Sequence, residues 1–254
     1  MDKKATHGGK NAKRPKLVQM TFAVKQKGPK TCSQCGFNFF TCNTNDKISQ
    51  HKRYHNEYLN GYEISTLKIS KLKEIGKVIN SHCVTINQEE RKLSILLVSY
   101  RDTTTRKIIG TMLKMINNRW LNTPTEENKI LDKVVLVISQ PNTSKSTINK
   151  SYIVGITTTI PGPLDGFFMD IKTSNVDRLK VMQLNLGVSR IFVSQEYRRK
   201  GLALEMLESL RCHAIYGVAL KKEEIGFSQP SGAGTLLISQ WMSPATCIPV
   251  YDEV

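Results

Sequence analysis

The 254-residue sequence contains no run of about 18 apolar residues, and its start, Met1-Asp2-Lys3-Lys4, has no apolar stretch of signal-peptide type. The expectation is a protein that is neither secreted nor embedded in a membrane. Acidic residues are scarce: 21 Asp and Glu stand against 37 Lys and Arg, a formal net charge of +16. That balance suits a target close to DNA. Cysteine is scarce as well. Six in a chain of this length cannot form a disulfide scaffold, and two of them stand at a metal-type spacing, which points to a reducing compartment. Aromatics make up 7%, yet the 39% hydrophobic content can bury a core and excludes wholesale disorder.

The excess charge is uneven. Nine of the 37 basic residues, and only Asp2 of the acidic ones, fall within residues 1–30, which read as a basic disordered tail. Lys13-Arg14-Pro15-Lys16 in this tail fits a nuclear localisation patch or a phosphate-contacting arm. Residues 31–60 form a compact Cys/His-bearing module, 61–91 lack a clear period and read as a linker with some local structure, and 92–254 alternate strands with helices. Expected strands are 93–100, 134–139, 152–160, 189–193, 224–228 and 247–251. Expected helices are 104–121, capped by Asp102 or Thr103, then 199–216 and 232–241. Pro161-Gly162-Pro163 reads as loop punctuation.

Cys32 and Cys35, separated by two residues, are followed after fifteen residues by His51 and His55, separated by three. Two thiolates at i, i+3 can clasp an ion from a turn. Two imidazoles four apart share a helix face, so the four can close a tetrahedron around structural zinc. Phe39 and Ile48 are the expected apolar residues beneath the metal, and Cys42 is a bystander. One finger reads about 3 bp, so a structural or docking role is favoured over sequence-specific DNA reading.

In Ser189-Arg190-Ile191-Phe192-Val193-Ser194-Gln195-Glu196-Tyr197-Arg198-Arg199-Lys200-Gly201-Leu202-Ala203 an apolar strand runs into a basic, glycine-bearing turn and then a helix. Leu202, Met206, Leu207 and Leu210 are that helix's expected buried stripe. A helix N-terminus offers backbone N–H groups and partial positive charge, which suits a pyrophosphate. A basic turn before an ordinary helix would look the same.

The Arg198-x-x-Gly201-x-Ala203 turn resembles motif A of the GNAT acyltransferases. The stretches Gly187–Val193, Leu207–Arg211, Ile215-Tyr216-Gly217 and Glu223–Pro230 narrow the resemblance to the cohesion-establishment acetyltransferases. The order of parts is similar too: basic tail, single zinc finger, catalytic domain. The resemblance implies a nuclear, acetyl-CoA-dependent protein-lysine N-acetyltransferase that modifies the SMC ATPase subunit of cohesin during DNA replication. It implies an α/β (α+β) GNAT fold, a mixed, mostly antiparallel sheet flanked by helices, with a small N-terminal zinc finger. By the same resemblance Ile191, Phe192 and Val193 meet the pantetheine arm. Arg198, Arg199, Lys200, Gly201, Leu202, Ala203 and Leu204 wrap the pyrophosphate, and Ser231, Gly232 and Ala233 add a further acetyl-CoA contact. Glu208 matches a catalytic glutamate. Gln19-Met20-Thr21-Phe22 sits where the family often carries a box for the replication sliding clamp, but the aromatic pair that usually ends it is absent near Lys25-Gln26.

Acetyl transfer needs a neutral amine, while a free lysine titrates near about 10.4, so a base must take the proton directly or through water. Glu208 is the candidate, with an ordinary surface glutamate paired to Arg211 as its alternative. Glu223 and Glu224 are rival carboxylates, and Ser228 is a further polar candidate. Gln229 stands where some relatives carry Asp, and an amide cannot serve as a base. Tyr216 and Tyr251 are possible acids for the leaving thiolate. Cys212 and His213, adjacent on a helix, point about 100° apart and are poorly placed as a nucleophilic pair. Two other readings remain: a GNAT enzyme acting on histones or small amines, and a non-catalytic zinc-finger DNA-binding protein.

Overall fold

In the computed structural model, residues 29–40, 45–116, 131–142 and 150–252 are described. The basic patch at Lys13–Lys16, the Gln19–Phe22 segment, Cys42 and the side chains of Phe39 and Ile48 lie outside the described part.

Short strands β1 (Pro29–Thr31) and β2 (Asn38–Phe40) pair antiparallel and lead into helix α1 (Asn45–Asn60). Then follow β3 (Tyr62–Ile64), α2 (Thr66–Ile75), β4 (Lys77–Ile86), β5 (Glu89–Ser99), α3 (Thr103–Ile116), β6 (Lys133–Pro141), β7 (Ser151–Asp170) and β8 (Val176–Val193). The chain ends with α4 (Leu202–His213), β9 (Ile225–Ser228), α5 (Gly232–Met242) and β10 (Cys247–Tyr251). One sheet runs β10-β9-β8-β7-β6-β5-β4. β4 to β8 pair antiparallel in succession, and β9 is parallel to both β8 and β10, so the sheet is mixed and mostly antiparallel.

Both faces of the sheet are covered, which explains the near-continuous apolar runs Leu93–Val98 and Val134–Ile138. On one face α2 and α3 bury Leu72, Ile109 and Met112 against Leu96, Leu136 and Ile156. On the other, α4 and α5 bury Met206, Leu207, Leu210 and Ile238 against Ile95, Val137 and Phe227. The predicted stripe of α4 is therefore its buried face. Asp102 accepts a hydrogen bond from the Thr105 N–H at 2.8 Å and caps α3.

Residues 61–91, expected as a linker, instead build the sheet: β4 pairs with β5 from Lys77 to Ile86, and Leu72 of α2 is fully buried. The mostly exposed pattern of β4 hid it, because an edge strand touching the core on alternate residues carries little apolar signal. Pro161-Gly162-Pro163 is no loop; it lies inside β7, where the pairing with β8 shifts register between Pro161 and Leu164. The strand expected at 189–193 is the end of β8, and α4 is confined to Leu202–His213 rather than 199–216. No helix of the described residues is long and apolar enough to cross a membrane.

Candidate active site

β8 and β9 pair only over Leu186↔Ile225, Gly187↔Gly226 and Val188↔Phe227, then diverge. Past that point a cavity of about 1020 Å³ opens, lined by Val188–Val193, Phe227–Ser231 and the start of α4. The diverging strands are tied across its mouth by polar groups. The Ser228 hydroxyl donates to the Ser189 carbonyl at 3.0 Å, and the Arg190 guanidinium donates to Ser228 Oγ at 3.4 Å.

After Val193 the chain makes a single 3-10 turn, Gln195–Tyr197, and then the basic turn. Arg198 donates through Nε to the Val193 carbonyl at 2.9 Å, which folds its side chain back along the strand. Arg199 and Gly201 have φ of 61° and 81°, left-handed values that swing the backbone sharply into α4. The first N–H groups of α4 have no partner within the helix and bring partial positive charge to the cavity wall. Opposite them α5 begins at Ser231, whose side chain accepts from the Gly234 N–H at 3.3 Å. Among the described residues, Arg190, Arg198 and Arg199 line this cavity and no Asp or Glu does. A long, partly apolar cleft with arginines and two helix starts fits a ligand that is apolar at one end and phosphorylated at the other.

Of the residues singled out from sequence, Ile191, Phe192, Val193, Arg198, Arg199, Gly201, Leu202, Ala203, Leu204, Ser228, Ser231 and Ala233 line the cavity. Lys200, Gly232 and Glu208 do not. Glu208 sits on α4 and accepts from Arg211 at 2.9 and 2.6 Å and from Trp241 Nε1 at 3.3 Å. The Arg211 guanidinium holds its carboxyl below the usual carboxylate range, against an opposing contribution from burial. The pairing with Arg211 foreseen as the alternative is thus present. Of the rival carboxylates, Glu224 is engaged in accepting from the Lys221 N–H at 2.6 Å. Tyr216 is fully exposed and Tyr251 buried, and neither lines the cavity; Tyr197 does, with its hydroxyl 2.9 Å from Ser139 Oγ.

Tyr54 and Tyr58 of α1 also line the cavity, and sequence reading gave them no role. A signal was available: His51, Tyr54, His55 and Tyr58 recur at helical spacing, so one face of α1 carries both the histidines and the tyrosines.

The Cys/His module brings together Cys32, Cys35, His51 and His55, whose donor atoms all lie within 4.8 Å of one another. Cys32 Sγ is 3.5 Å from His55 Nδ1, and Cys35 Sγ is 3.5 Å from His51 Nε2. Zinc bonds of about 2.3 Å to sulfur and about 2.05 Å to nitrogen at the tetrahedral angle separate S and N by about 3.5 Å, so the donors fit zinc. Backbone N–H groups of Cys35 and Gln34 draw the Cys32 thiol down to about 6, towards the thiolate that a metal requires. Phe37 stacks on the His51 ring at 5.5 Å and against Tyr54 at 4.8 Å, so an aromatic lies under this site.

Residues 182–251 match the family model described as ESCO1/2 acetyl-transferase. N-acetyltransferase ECO1 of Kluyveromyces lactis is 27% identical over 255 residues, covering 91% of this chain and 93% of that protein. N-acetyltransferase ECO1 of Yarrowia lipolytica is 29% identical over 256 residues, covering 96% and 78%. A 55-residue stretch, 22% of this chain and 6% of the relative, is 49% identical to human N-acetyltransferase ESCO1. The xEco2 acetyltransferase domain, solved bound to a K105-CoA conjugate, superposes with a TM-score of 0.52 at 21% identity, covering 69% of this chain and 99% of that one.

Proposed function

The chain belongs to the ECO1/ESCO family of N-acetyltransferases, and on that premise we propose that it transfers the acetyl group of acetyl-CoA to a lysine of the SMC ATPase subunit of cohesin. The observation that carries this reading is the cavity between β8 and β9, lined by Ile191–Val193 along one strand and, among the described residues, by arginines as its only charged side chains apart from thiols. Ile191–Val193 present their main chain to the pantetheine arm. The Arg198–Leu204 turn and helix start receive the diphosphate, and Ser231 and Ala233 close the opposite wall.

Transfer is direct: the lysine nitrogen bonds to the thioester carbonyl carbon, the C–S bond breaks, and the departing thiolate is protonated. The amine's proton needs an acceptor, and no carboxylate lines the cavity among the described residues. On α4, Glu205 turns towards His82 of β4 at 3.8 Å. Glu208 lies one turn beyond the lining residue Leu204 and touches Trp241, next to the lining residue Gln240. Glu208 therefore takes the proton through water. Ser228, tied to Ser189 at the diverging strands, orients the reacting groups. Cys32, Cys35, His51 and His55 hold structural zinc, which supplies folding energy to the finger rather than chemistry.

Substrate and setting follow from the same reading: a nucleus-located enzyme working close to replicating DNA, with residues 12–30 contacting the sliding clamp through Gln19–Phe22. The decisive experiment is labelled acetyl transfer by the purified chain to a cohesin SMC-head complex, core histones and free polyamines. Glu208-dependent labelling of the SMC head alone is expected. Labelling of histones or polyamines alone would keep the chemistry and overturn the substrate. No labelling, with no acetyl-CoA binding by calorimetry, would leave a zinc-finger binding module.

A further inference from the structure

Tyr54 and Tyr58 belong to the zinc-binding helix, yet they line the cavity that receives acetyl-CoA in the reading above. We infer that this face of α1 forms the adenosine platform of the cofactor site, so that the finger is part of the acetyl-CoA pocket rather than an appendage to it. The inference rests on acetyl-CoA being the ligand.

Four observations carry it. The guanidinium of Arg198 lies 5.6 Å from the centre of the Tyr58 ring and 6.0 Å from that of Phe192, so the ring adjoins the turn that receives the diphosphate. Arg198 is pinned there through its bond to the Val193 carbonyl. The Tyr54 and Tyr58 rings are parallel within 4°, with centres 6.5 Å apart, and Tyr54 rests on Phe37 beside the metal ligand His51. Finally, the finger helix is locked to the sheet: β3, joined to α1 through Gly61, pairs with Ile153 and Tyr152 of β7 where β8 ends.

Order along the cavity assigns the ligand's parts. The reacting end belongs where Ser189, Arg190 and Ser228 converge, and the diphosphate belongs at the Arg198–Gly201 turn. The portion beyond the diphosphate, an adenosine carrying a 3′-phosphate, then meets the tyrosine face. A purine stacks on tyrosine and on an arginine plane without needing base-specific hydrogen bonds. Phe37, between His51 and Tyr54, passes metal occupancy to the platform, so zinc and nucleotide bind with mutual support.

The test is calorimetry on the zinc-loaded full chain with three probes: acetyl-CoA, adenosine 3′,5′-bisphosphate and acetyl-pantetheine, which lacks the nucleotide. Tyr58→Ala should weaken acetyl-CoA and the bisphosphate by about 10-fold and leave acetyl-pantetheine unchanged. Tyr58→Phe should restore wild-type affinity, and metal analysis should show full zinc in both variants. Removing zinc with a chelator should reproduce the same selective loss. Equal affinity of Tyr58→Ala and wild type for acetyl-CoA would overturn the platform while leaving the acetyltransferase reading intact, as would equal weakening of acetyl-pantetheine. Failure of the wild-type chain to bind acetyl-CoA at all would overturn both.

Discussion

Arg211 donates twice to a single oxygen of Glu208, at 2.9 and 2.6 Å, and leaves the other oxygen to Trp241 Nε1 at 3.3 Å. A carboxylate held this way stays ionised throughout the neutral range, ready to accept a proton but weakly basic. It is absent from the cavity lining and lies one turn of α4 beyond the lining residue Leu204, which suits relay through water better than direct contact. Glu208→Gln should therefore lower kcat by about 100-fold or more at saturating acetyl-CoA, the ordinary scale of a lost general base, with KM for acetyl-CoA changed little. Steady-state kinetics checks this, and full turnover by Glu208→Gln would remove the residue from the chemistry.

The same pair has a pH signature. Glu208 has its folded pKa depressed, chiefly by Arg211, so the pair's stabilisation is present above the unfolded carboxylate value of about 4.3 and is lost as pH falls through the lower folded value. Because the Glu208 side chain is 47% exposed, solvent screens the pair and its worth stays below about 1 kcal/mol. Arg211→Ala should be slightly less stable than wild type in urea at pH 7, and the difference should shrink under strongly acidic conditions. A difference that grows on acidification would contradict this assignment.

Gly201 adopts φ of 81°, and a Cβ built there meets nothing within 4 Å because it points into open space. Gly201→Ala thus carries backbone strain of about 1–2 kcal/mol without a steric clash in the empty protein. If the diphosphate lies against the turn as proposed, the added methyl competes with it. Expected are a drop of a few degrees in Tm and an increase of about 10-fold or more in KM for acetyl-CoA, with kcat much less affected. A KM equal to that of wild type would show that the diphosphate lies elsewhere.

The cavity was legible chiefly through one contiguous stretch of its lining. Ser189–Leu204 forms strand, turn and helix start in one stretch, so local pattern and resemblance both reach it, and the metal ligands are legible for the same reason. What escaped depends on distant pairing. β4 carries an edge pattern that becomes strand only against β5, and residues 164–188 form two arms of one hairpin whose irregular register, shifting between Gly166 and Phe168, blurs the alternation. Tyr54 and Tyr58 read as ordinary finger residues until α1 docks beside Arg198, 140 positions on from Tyr58. Ser139, which meets the Tyr197 hydroxyl, likewise sits on β6, far along the chain from the turn it supports.

Gly61 is the joint between finger and sheet. Its N–H donates to the Glu57 carbonyl at 3.1 Å and closes α1, its φ is 101°, and the next three residues pair with β7. A Cβ at this position would stand 2.5 Å from the Ile153 carbonyl oxygen and 3.2 Å from Ser194 Oγ. The obstacle is backbone, which cannot rotate away, so backbone strain and overpacking act together. Gly61→Ala should cost about 2 kcal/mol or more and detach α1 from the sheet rather than unfold the whole chain. Hydrogen exchange should then quicken in α1 and β3 while the central strands β5 and β6, buried on both faces, keep their protection. Unchanged exchange in α1 and β3 would mean that the finger is held to the sheet by contacts other than this joint.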